Sequence, residues 1–263
     1  IDEARQIACT NLFAEEPPPE DELAEGEVLK LVERHKVVTD RELKVRLEGE
    51  FFPWVVGRAL GRLDGQELRK MGYAGRRRVG SVGTTDFYAL AGTPYADVEE
   101  LIQRKRRISA DVNAQLTGSA SMGLHAEDLF LEAFEKLGFE ILGRNVAEFR
   151  GRRAKGVAGK ERPNLDFVVA KDGLTYGVDV KNWLKYEFET IDKIRQKVDV
   201  AIQLRVAPFI IARYVDEDTI FTEVIRKGGM VYRYRDLLMS APLRSLAEEA
   251  GDVLGYPILA VDS

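Results

Sequence analysis

Two strand-like segments joined by a tight turn constrain the fold of this chain more than any other feature. Residues 164–170 and 174–182 are rich in valine and aromatic side chains, and Asp172-Gly173 lies between them. Asp-Gly is typical of the two-residue turn of a β-hairpin, because both turn positions need a positive backbone φ angle. The sequence therefore predicts an antiparallel hairpin over residues 164–182.

Three charged side chains, Asp166, Asp179 and Lys181, lie among the apolar residues of this hairpin. Asp179 and Lys181 are two residues apart and point to one face of their strand, while Val178 and Val180 point to the other. An exposed surface strand explains that alternation equally well. It does not explain Asp166, which lies on the neighbouring strand with apolar residues on both sides. The hairpin therefore predicts two carboxylates and one ammonium group close together.

An amphipathic helix is predicted upstream of the hairpin, over residues 121–137, with Gly138 as its C-terminal stop. Four apolar residues fall near one face of this helix: Leu124, Leu131, Phe134 and Leu137. A strand is expected to follow over residues 139–142. The helix is thus expected to cover the sheet to which the hairpin belongs.

The segments Pro163-Asn164-Leu165-Asp166 and Asp179-Val180-Lys181 resemble the two halves of the PD-(D/E)-x-K signature of restriction endonucleases and archaeal Holliday-junction resolvases. In that superfamily the preceding helix often supplies a glutamate, and Glu127 is in a similar place. Glu132 is the alternative, but it lies about 500° further around the helix and faces elsewhere. The resemblance covers residues 118–240 and implies an α/β fold with a restriction-endonuclease-like mixed sheet flanked by helices.

The resemblance also implies a metal-dependent phosphodiesterase site. Glu127, Asp166, Asp179 and the carbonyl of Val180 would hold Mg²⁺ or Mn²⁺, and Lys181 would orient water and stabilise developing charge. With one cysteine and two histidines in the chain, carboxylates are the available ligands, and they suit hard cations. The alternative for Lys181 beside two carboxylates is a structural ion pair.

Composition limits the location and the partners. The single cysteine excludes an internal disulfide and, with no signal-peptide pattern, favours a cytoplasmic protein. No apolar run reaches the roughly 18 residues of a membrane span, so no membrane partner is expected. The net charge of -5 argues against a basic surface over the whole chain. Local basic clusters remain at residues 76–78, 104–107 and 150–162, and each is either a DNA contact or a solvated face.

The N-terminal part predicts a small α+β domain over residues 25–95, after an acidic linker or arm over residues 1–24. Three short helices are expected; a T-x-x-E capping box at Thr39 and Glu42 opens the second, and the third follows Pro53. Two strands around a Gly- and Arg-rich turn complete an order that resembles a winged helix-turn-helix, which contacts DNA or other proteins. The DNA contacts implied are Arg58, Arg62, Arg76, Arg77 and Arg78.

A polar connecting helix is predicted over residues 96–117, before a nuclease-like domain over residues 118–263. After the hairpin, a helix over residues 189–206 is expected, and the resemblance places polar helpers there, Lys193 and Gln196. The predicted core stripe of this helix is Ile191, Ile194, Val198 and Ile202. An apolar run at residues 208–215 predicts a buried strand next to it.

A Gly- and Arg-rich loop precedes Asp166, and it is predicted either to hold DNA phosphates or to be a mobile surface loop. Its basic residues are Arg150, Arg152, Arg153, Lys155, Lys160 and Arg162. The favoured function is a metal-dependent endonuclease acting on structured or site-selected DNA. A non-catalytic DNA-binding or regulatory protein and a nuclease for structured RNA remain alternatives. A homodimer is compatible with the resemblance, because many enzymes of this fold dimerise.

Overall fold

The computed structural model describes residues 19–71, 86–117, 122–155, 163–184, 188–214 and 220–262. The chain divides into two compact units, with the boundary between Glu100 and Leu101. Each unit has a sheet of its own. Within the described ranges, no helix is both long and apolar enough to cross a lipid bilayer.

In its described part, the first unit combines three α-helices with a three-stranded antiparallel sheet. Its elements are α1 (Glu20–His35), β1 (Val37–Thr39), α2 (Asp40–Arg46), α3 (Pro53–Leu63), β2 (Leu68–Lys70) and β3 (Phe87–Leu90). β3 is the central strand, with β1 and β2 antiparallel on either side. The sequence does not predict β1, because a three-residue strand between two helices leaves no periodic pattern.

Local signals explain where the helices of this unit begin. Thr39 Oγ1 accepts a hydrogen bond from the Glu42 backbone N–H at 3.0 Å, as the capping box predicts. Pro53 opens α3, where its missing N–H has no helical partner to lose. α1 begins at Glu20, inside the segment predicted as a linker or arm, and it buries Ala24 completely. Three acidic residues in its first turn favour that early start.

The second unit is α/β, with a mixed five-stranded sheet flanked by helices, as predicted at that level. Its elements are α4 (Glu99–Thr117), α5 (Met122–Lys136), β4 (Glu140–Val146), β5 (Glu148–Phe149), β6 (Arg152–Arg153), β7 (Leu165–Lys171), β8 (Leu174–Lys181), α6 (Phe188–Leu204), β9 (Ala207–Ala212), α7 (Thr222–Arg226), β10 (Met230–Arg233), β11 (Leu237–Ser240), α8 (Arg244–Leu254) and β12 (Ile258–Val261). The strands of the sheet lie in the order β10-β9-β8-β7-β4, and β11 and β12 form a separate parallel pair.

The predicted hairpin is confirmed as β7 and β8. Lys171 pairs with Leu174, which leaves Asp172 and Gly173 as the two turn residues. Both have positive φ angles, 52° and 79°. β8 then continues through α6 into β9, which lies parallel to β8, while β4 lies antiparallel to β7 on the other side. The hairpin is therefore the middle of the sheet, not a peripheral ribbon.

The two faces of the sheet pack against different helices. One core cluster joins the sheet to α5: Ala126, Phe134, Phe167, Val169, Val178 and Val180. Another joins it to α6: Leu165, Val168, Val200, Ala201 and Leu204. Because Val178 and Val180 face α5, the alternating residues Asp179 and Lys181 point to the face that α6 covers.

The core stripes of α5 and α6 differ in part from the prediction. Leu124 and Leu137 are exposed, whereas Met122, Ala126 and Phe134 are buried on α5. The buried residues follow a spacing of four, and Leu124 lies about 200° away from that line. On α6, Ile202 is likewise exposed.

Candidate active site

Asp166 and Asp179 lie next to each other across the hairpin. The register pairs Phe167 with Val178, so one further step along both strands places Asp166 opposite Asp179. Asp166 Oδ2 accepts a hydrogen bond from the Val180 backbone N–H at 2.6 Å. The Asp166 carboxylate is thus held against the neighbouring strand, beside the residues that carry the rest of the site.

Asp179 is fully buried, and its two oxygens face ammonium groups. Lys181 Nζ lies 2.6 Å from Oδ2, and Lys197 Nζ lies 2.9 Å from Oδ1. Beyond these ion pairs, no described group donates a hydrogen bond to either oxygen. A buried carboxylate in a low-dielectric site needs such compensation, so the two lysines are what makes the ionised form of Asp179 tolerable.

Lys197 is the site residue that the sequence does not single out. Its Nζ also lies 3.7 Å from Asp166 Oδ1 and donates a hydrogen bond to the Asn164 carbonyl at 2.7 Å. The expected helpers on the same helix, Lys193 and Gln196, are both exposed. One signal does mark Lys197: it falls on the apolar side of α6, three residues after Ile194 and directly before Val198, where a lysine is unusual.

Burial and neighbouring charges both shift the pKa values of Asp166 and Lys197. Burial raises the pKa of Asp166, and the negative charge of Asp179 raises it further, although Lys181, Lys197 and the Val180 N–H act against this. Burial alone would lower the pKa of Lys197, but the charges of Asp179 and Asp166 outweigh burial and raise it. The ammonium form of Lys197 is therefore stabilised between the two carboxylates.

Glu127 is the third carboxylate of this cluster. Burial first, and then the charge of Asp166, raise the pKa of Glu127 to about 7. Lys181 and Lys197 lower the pKa of Glu127, and Asp179 raises it. All four charged side chains around Glu127 therefore influence its ionisation. Glu132 instead forms an ion pair with Lys136 at 2.6 Å, one turn further along α5. Of the two helix carboxylates considered from the sequence, Glu127 is thus the one close to the aspartates.

A buried asparagine directly after Lys181 ties the site to two other elements. Asn182 Nδ2 donates hydrogen bonds to the carbonyls of Met122 and Leu238, each at 2.8 Å. Asn182 Oδ1 accepts from the Leu238 N–H and from the Tyr234 hydroxyl, each at 3.0 Å. Met122 opens α5, the helix of Glu127, so Asn182 fixes the end of β8 relative to that helix.

The carboxylate and carbonyl oxygens of the site are the kind of donor that a hard cation such as Mg²⁺ prefers. In the described part of the chain, no three Asp, Glu, His or Cys side chains are grouped closely enough to hold a metal ion by themselves. Mg²⁺ commonly needs only one or two carboxylates and completes its shell with water and substrate phosphate. Asp166, Asp179 and the Val180 carbonyl match that donor set, and among the described residues the Asp179 oxygens accept no hydrogen bond beyond their ion pairs.

The arginines predicted to read DNA from the third helix, Arg58 and Arg62, are engaged within the first unit. Arg58 Nη2 and Arg62 Nη1 each lie 2.7 Å from the Asp21 carboxylate, and Arg62 also binds Glu25. Arg58 and Arg62 share one face of α3, as their spacing predicts, but that face contacts α1. The predicted contacts Arg76, Arg77 and Arg78 lie outside the described residues.

The basic loop before Asp166 is partly a regular hairpin. β5 and β6 pair antiparallel around Arg150 and Gly151, which both have positive φ angles. The Arg150 guanidinium lies 5.0 Å from the Phe149 ring centroid, and Arg153 forms an ion pair with Glu148 at 3.2 Å. Four of the predicted phosphate contacts belong to this segment: Arg150, Arg152, Arg153 and Lys155. Lys160 and Arg162 lie outside the described residues.

Comparisons with known proteins provide no relative from which a function for this site could be inferred. A scan against protein-family models, a search of curated proteins and a search of solved structures each find no match. The function of the acidic cluster is therefore inferred from its residues and their positions.

Proposed function

We propose that the chain is a metal-dependent endonuclease that hydrolyses phosphodiester bonds in DNA. The observation that carries this proposal is the arrangement around Asp179: two adjacent aspartates on neighbouring strands, with Lys181 and Lys197 on the fully buried member. A purely structural ion pair needs one cation for one carboxylate. A cluster of acidic and basic groups with raised carboxyl pKa values is more typical of a catalytic site.

The fold supports the resemblance noted in the sequence. The order of α5, β4, β7, β8, α6, β9 and β10 along the chain, with β8 in the middle of the sheet, is similar to the restriction-endonuclease-like core. The aspartates and Lys181 occupy the central hairpin of that arrangement. In the first unit, the order helix, strand, two helices and two strands is similar to a winged helix-turn-helix.

In the proposed reaction, Asp166, Asp179 and the Val180 carbonyl would hold the cation. When bound, Mg²⁺ or Mn²⁺ supplies an activated water and Lewis-acid stabilisation of the phosphate. Lys181 Nζ, placed by its strand next to Asp179, orients the attacking water and donates hydrogen bonds to the phosphate oxygens as their charge increases. Asn182 keeps Lys181 in register with the helix that carries Glu127.

The remaining charged groups bind and position the substrate. The ammonium group of Lys197 balances the negative charge on the second oxygen of Asp179. A polyanionic nucleic acid therefore approaches a site whose negative charge is already partly neutralised. Glu127, in the second turn of α5, adds a third carboxyl group close enough to the aspartates to interact with their charges. The β5–β6 hairpin presents basic side chains for phosphate contacts, which carry affinity but no sequence information.

A matched pair of variants tests the proposal. Labelled duplex, single-stranded, flap and four-way-junction DNA, together with a structured RNA, are incubated with the protein in Mg²⁺ or Mn²⁺. Asp179→Asn removes the central carboxylate, whereas Asp172→Asn changes an exposed aspartate in the turn of the same hairpin, where asparagine tolerates the positive φ. We expect cleavage by wild type and Asp172→Asn, and its loss in Asp179→Asn and in chelator.

The burial of Asp179 between two lysines also favours a second candidate, a non-catalytic DNA-binding protein in which these charges stabilise the fold. That candidate predicts no cleavage of any substrate, and salt-sensitive DNA binding that Asp179→Asn leaves intact. Preferential cleavage of the structured RNA would instead assign the site to RNA.

A further inference from the structure

Trp183 lies beside the ammonium group of the site. It follows Lys181 by two residues, and Lys181 Nζ is 5.9 Å from the centroid of the Trp183 ring. The same Nζ is 2.6 Å from Asp179 Oδ2, so one ammonium group stands between the acidic cluster and the indole. Trp183 is only half-buried, which leaves part of the largest side chain in proteins accessible next to the charges.

The backbone that carries this indole is held firmly. The buried guanidinium of Arg213 donates hydrogen bonds to the carbonyls of Trp183 and Leu184, the latter at 2.7 Å. The Arg213 backbone N–H binds the Lys181 carbonyl at 3.0 Å. Lys181 and Trp183 are thus fixed by one residue at the end of β9, and Leu184 is buried behind them. A rigid platform loses little conformational entropy when a ligand binds.

We propose that Trp183 is a stacking platform for an unpaired nucleobase, and that the preferred substrate is therefore DNA with single-stranded character at the cleaved phosphate. Because Lys181 Nζ lies between the acidic cluster and the indole, a nucleotide whose phosphate contacts Lys181 has its base within reach of Trp183. Aromatic side chains stack on bases whose faces are free. In an intact duplex both faces of each base are covered by its neighbours, so only an unpaired or extruded base can use Trp183.

This inference rests on the proposed function and names its substrate class. It also gives the Lys181–Trp183 contact a use beyond packing, because a planar ring can hold a cation over one face and a base on the other. A purely structural role for Trp183, such as shielding the ion pairs from water, predicts no dependence of affinity on whether the bases are paired.

Intrinsic fluorescence provides the direct test. The chain has two tryptophans, Trp54 and Trp183, so Trp54→Phe leaves Trp183 as the single emitter while it preserves the ring stack with Phe52. The Trp54→Phe variant is titrated, in Ca²⁺ and in chelator, with a single-stranded oligonucleotide, its duplex, and the same strand made abasic. We expect saturable quenching by the single strand and much less by the other two; equal quenching by all three, or none by any, overturns the inference.

Affinity measurements on two further variants separate stacking from folding. Trp183→Ala should lower the ratio of single-strand to duplex affinity by about tenfold, and Trp183→Phe should retain most of it, because phenylalanine still stacks. An unchanged ratio in Trp183→Ala contradicts the proposal. If Asp179-dependent cleavage occurs equally on duplex and single strand, the nuclease proposal stands and the stacking inference falls. If wild type cleaves no substrate, the nuclease proposal is the one that fails.

Discussion

Lys197 contributes to the acidic cluster as a second cation on a buried carboxylate. Its Nζ bridges Asp179, Asp166 and the Asn164 carbonyl, so it joins α6 to the starts and ends of the two central strands. Removal of one partner from a buried charged group leaves the other without compensation. The stability of this unit should therefore depend on the ammonium group of Lys197, not only on the methylene groups of its side chain.

We predict that Lys197→Met lowers the free energy of unfolding by about 1–3 kcal/mol, because Asp179 loses one of the two ammonium groups that the described residues place beside it. Lys193→Met, on the exposed side of the same helix, is the matched control and should change stability little. Urea denaturation of both variants measures the difference. Equal midpoints for the two variants would show that Lys197 does not stabilise the buried carboxylate.

At the level of elements, Gly177 of β8 is closely packed against β7 and against the segment that follows α6. A Cβ atom on Gly177 would lie 2.5 Å from Leu165 Cδ1 and 2.7 Å from Val206 Cγ2, and 3.4 Å from the Ala201 Cβ. These contacts belong to the core cluster that holds α6 on the sheet. Because the interior is close-packed, neither neighbour has free space to move into.

Gly177→Ala should consequently destabilise the protein by about 1–3 kcal/mol through overpacking. The comparison is Gly251→Ala in α8, where the added Cβ meets only the Tyr256 carbonyl at 3.6 Å. Thermal or urea unfolding of both variants measures the effect. If Gly177→Ala is as stable as wild type, then Leu165 and Val206 have more room beside β8 than these distances indicate.

The contact between α1 and α3 also belongs to the scale of elements. Hydrogen bonds from Arg58, and then from Arg62, lower the pKa of Asp21 from 3.8 to about 2. A lowered folded-state pKa means that this stabilisation is present above about pH 4 and is lost as the pH falls towards 2. A DNA phosphate at either arginine has to compete with Asp21, although exposed ion pairs of this kind are weak.

For this contact we expect Arg58→Gln to raise the titration midpoint of Asp21 towards its ordinary value. Carbon-13 NMR of the side-chain carboxyl follows the titration directly. Arg69→Gln, at an exposed position of β2, serves as the control and should leave the midpoint near 2. An Asp21 midpoint close to 3.8 in the wild-type protein would mean that α1 does not hold these arginines in solution.

Across the whole molecule, the parts that the sequence predicts well are those with local signals. The Asp172-Gly173 turn, the alternation around Asp179 and the proline before α3 each depend on a few neighbouring residues. Together they are enough to predict the hairpin and to place two carboxylates and a lysine on it. The α/β class is what the resemblance implies, and the helices predicted on either side of that hairpin agree with it.

The parts that the sequence misses depend on tertiary packing. Lys197 is brought to Asp179 by the rotation of α6 on the sheet, which the stripe of isoleucines predicts only roughly, since Ile202 is exposed. Asn182 gains its role from two distant carbonyls, Met122 and Leu238, that no local pattern connects to it. Likewise, the spacing of Arg58 and Arg62 predicts a shared face but not that α1 lies against it.

Asp179 and its neighbours are proposed to form a metal-dependent phosphodiesterase site, and the rate of cleavage tests this role without intermediate steps. The initial rate on an end-labelled flap or single-stranded DNA in Mg²⁺ is compared between wild type, Asp179→Asn and Asp172→Asn at equal folded concentrations. We expect the rate to fall on the order of a hundredfold or more in Asp179→Asn, while Asp172→Asn cleaves like wild type. Equal rates in all three proteins, or no metal-dependent cleavage by wild type, would contradict the proposed site.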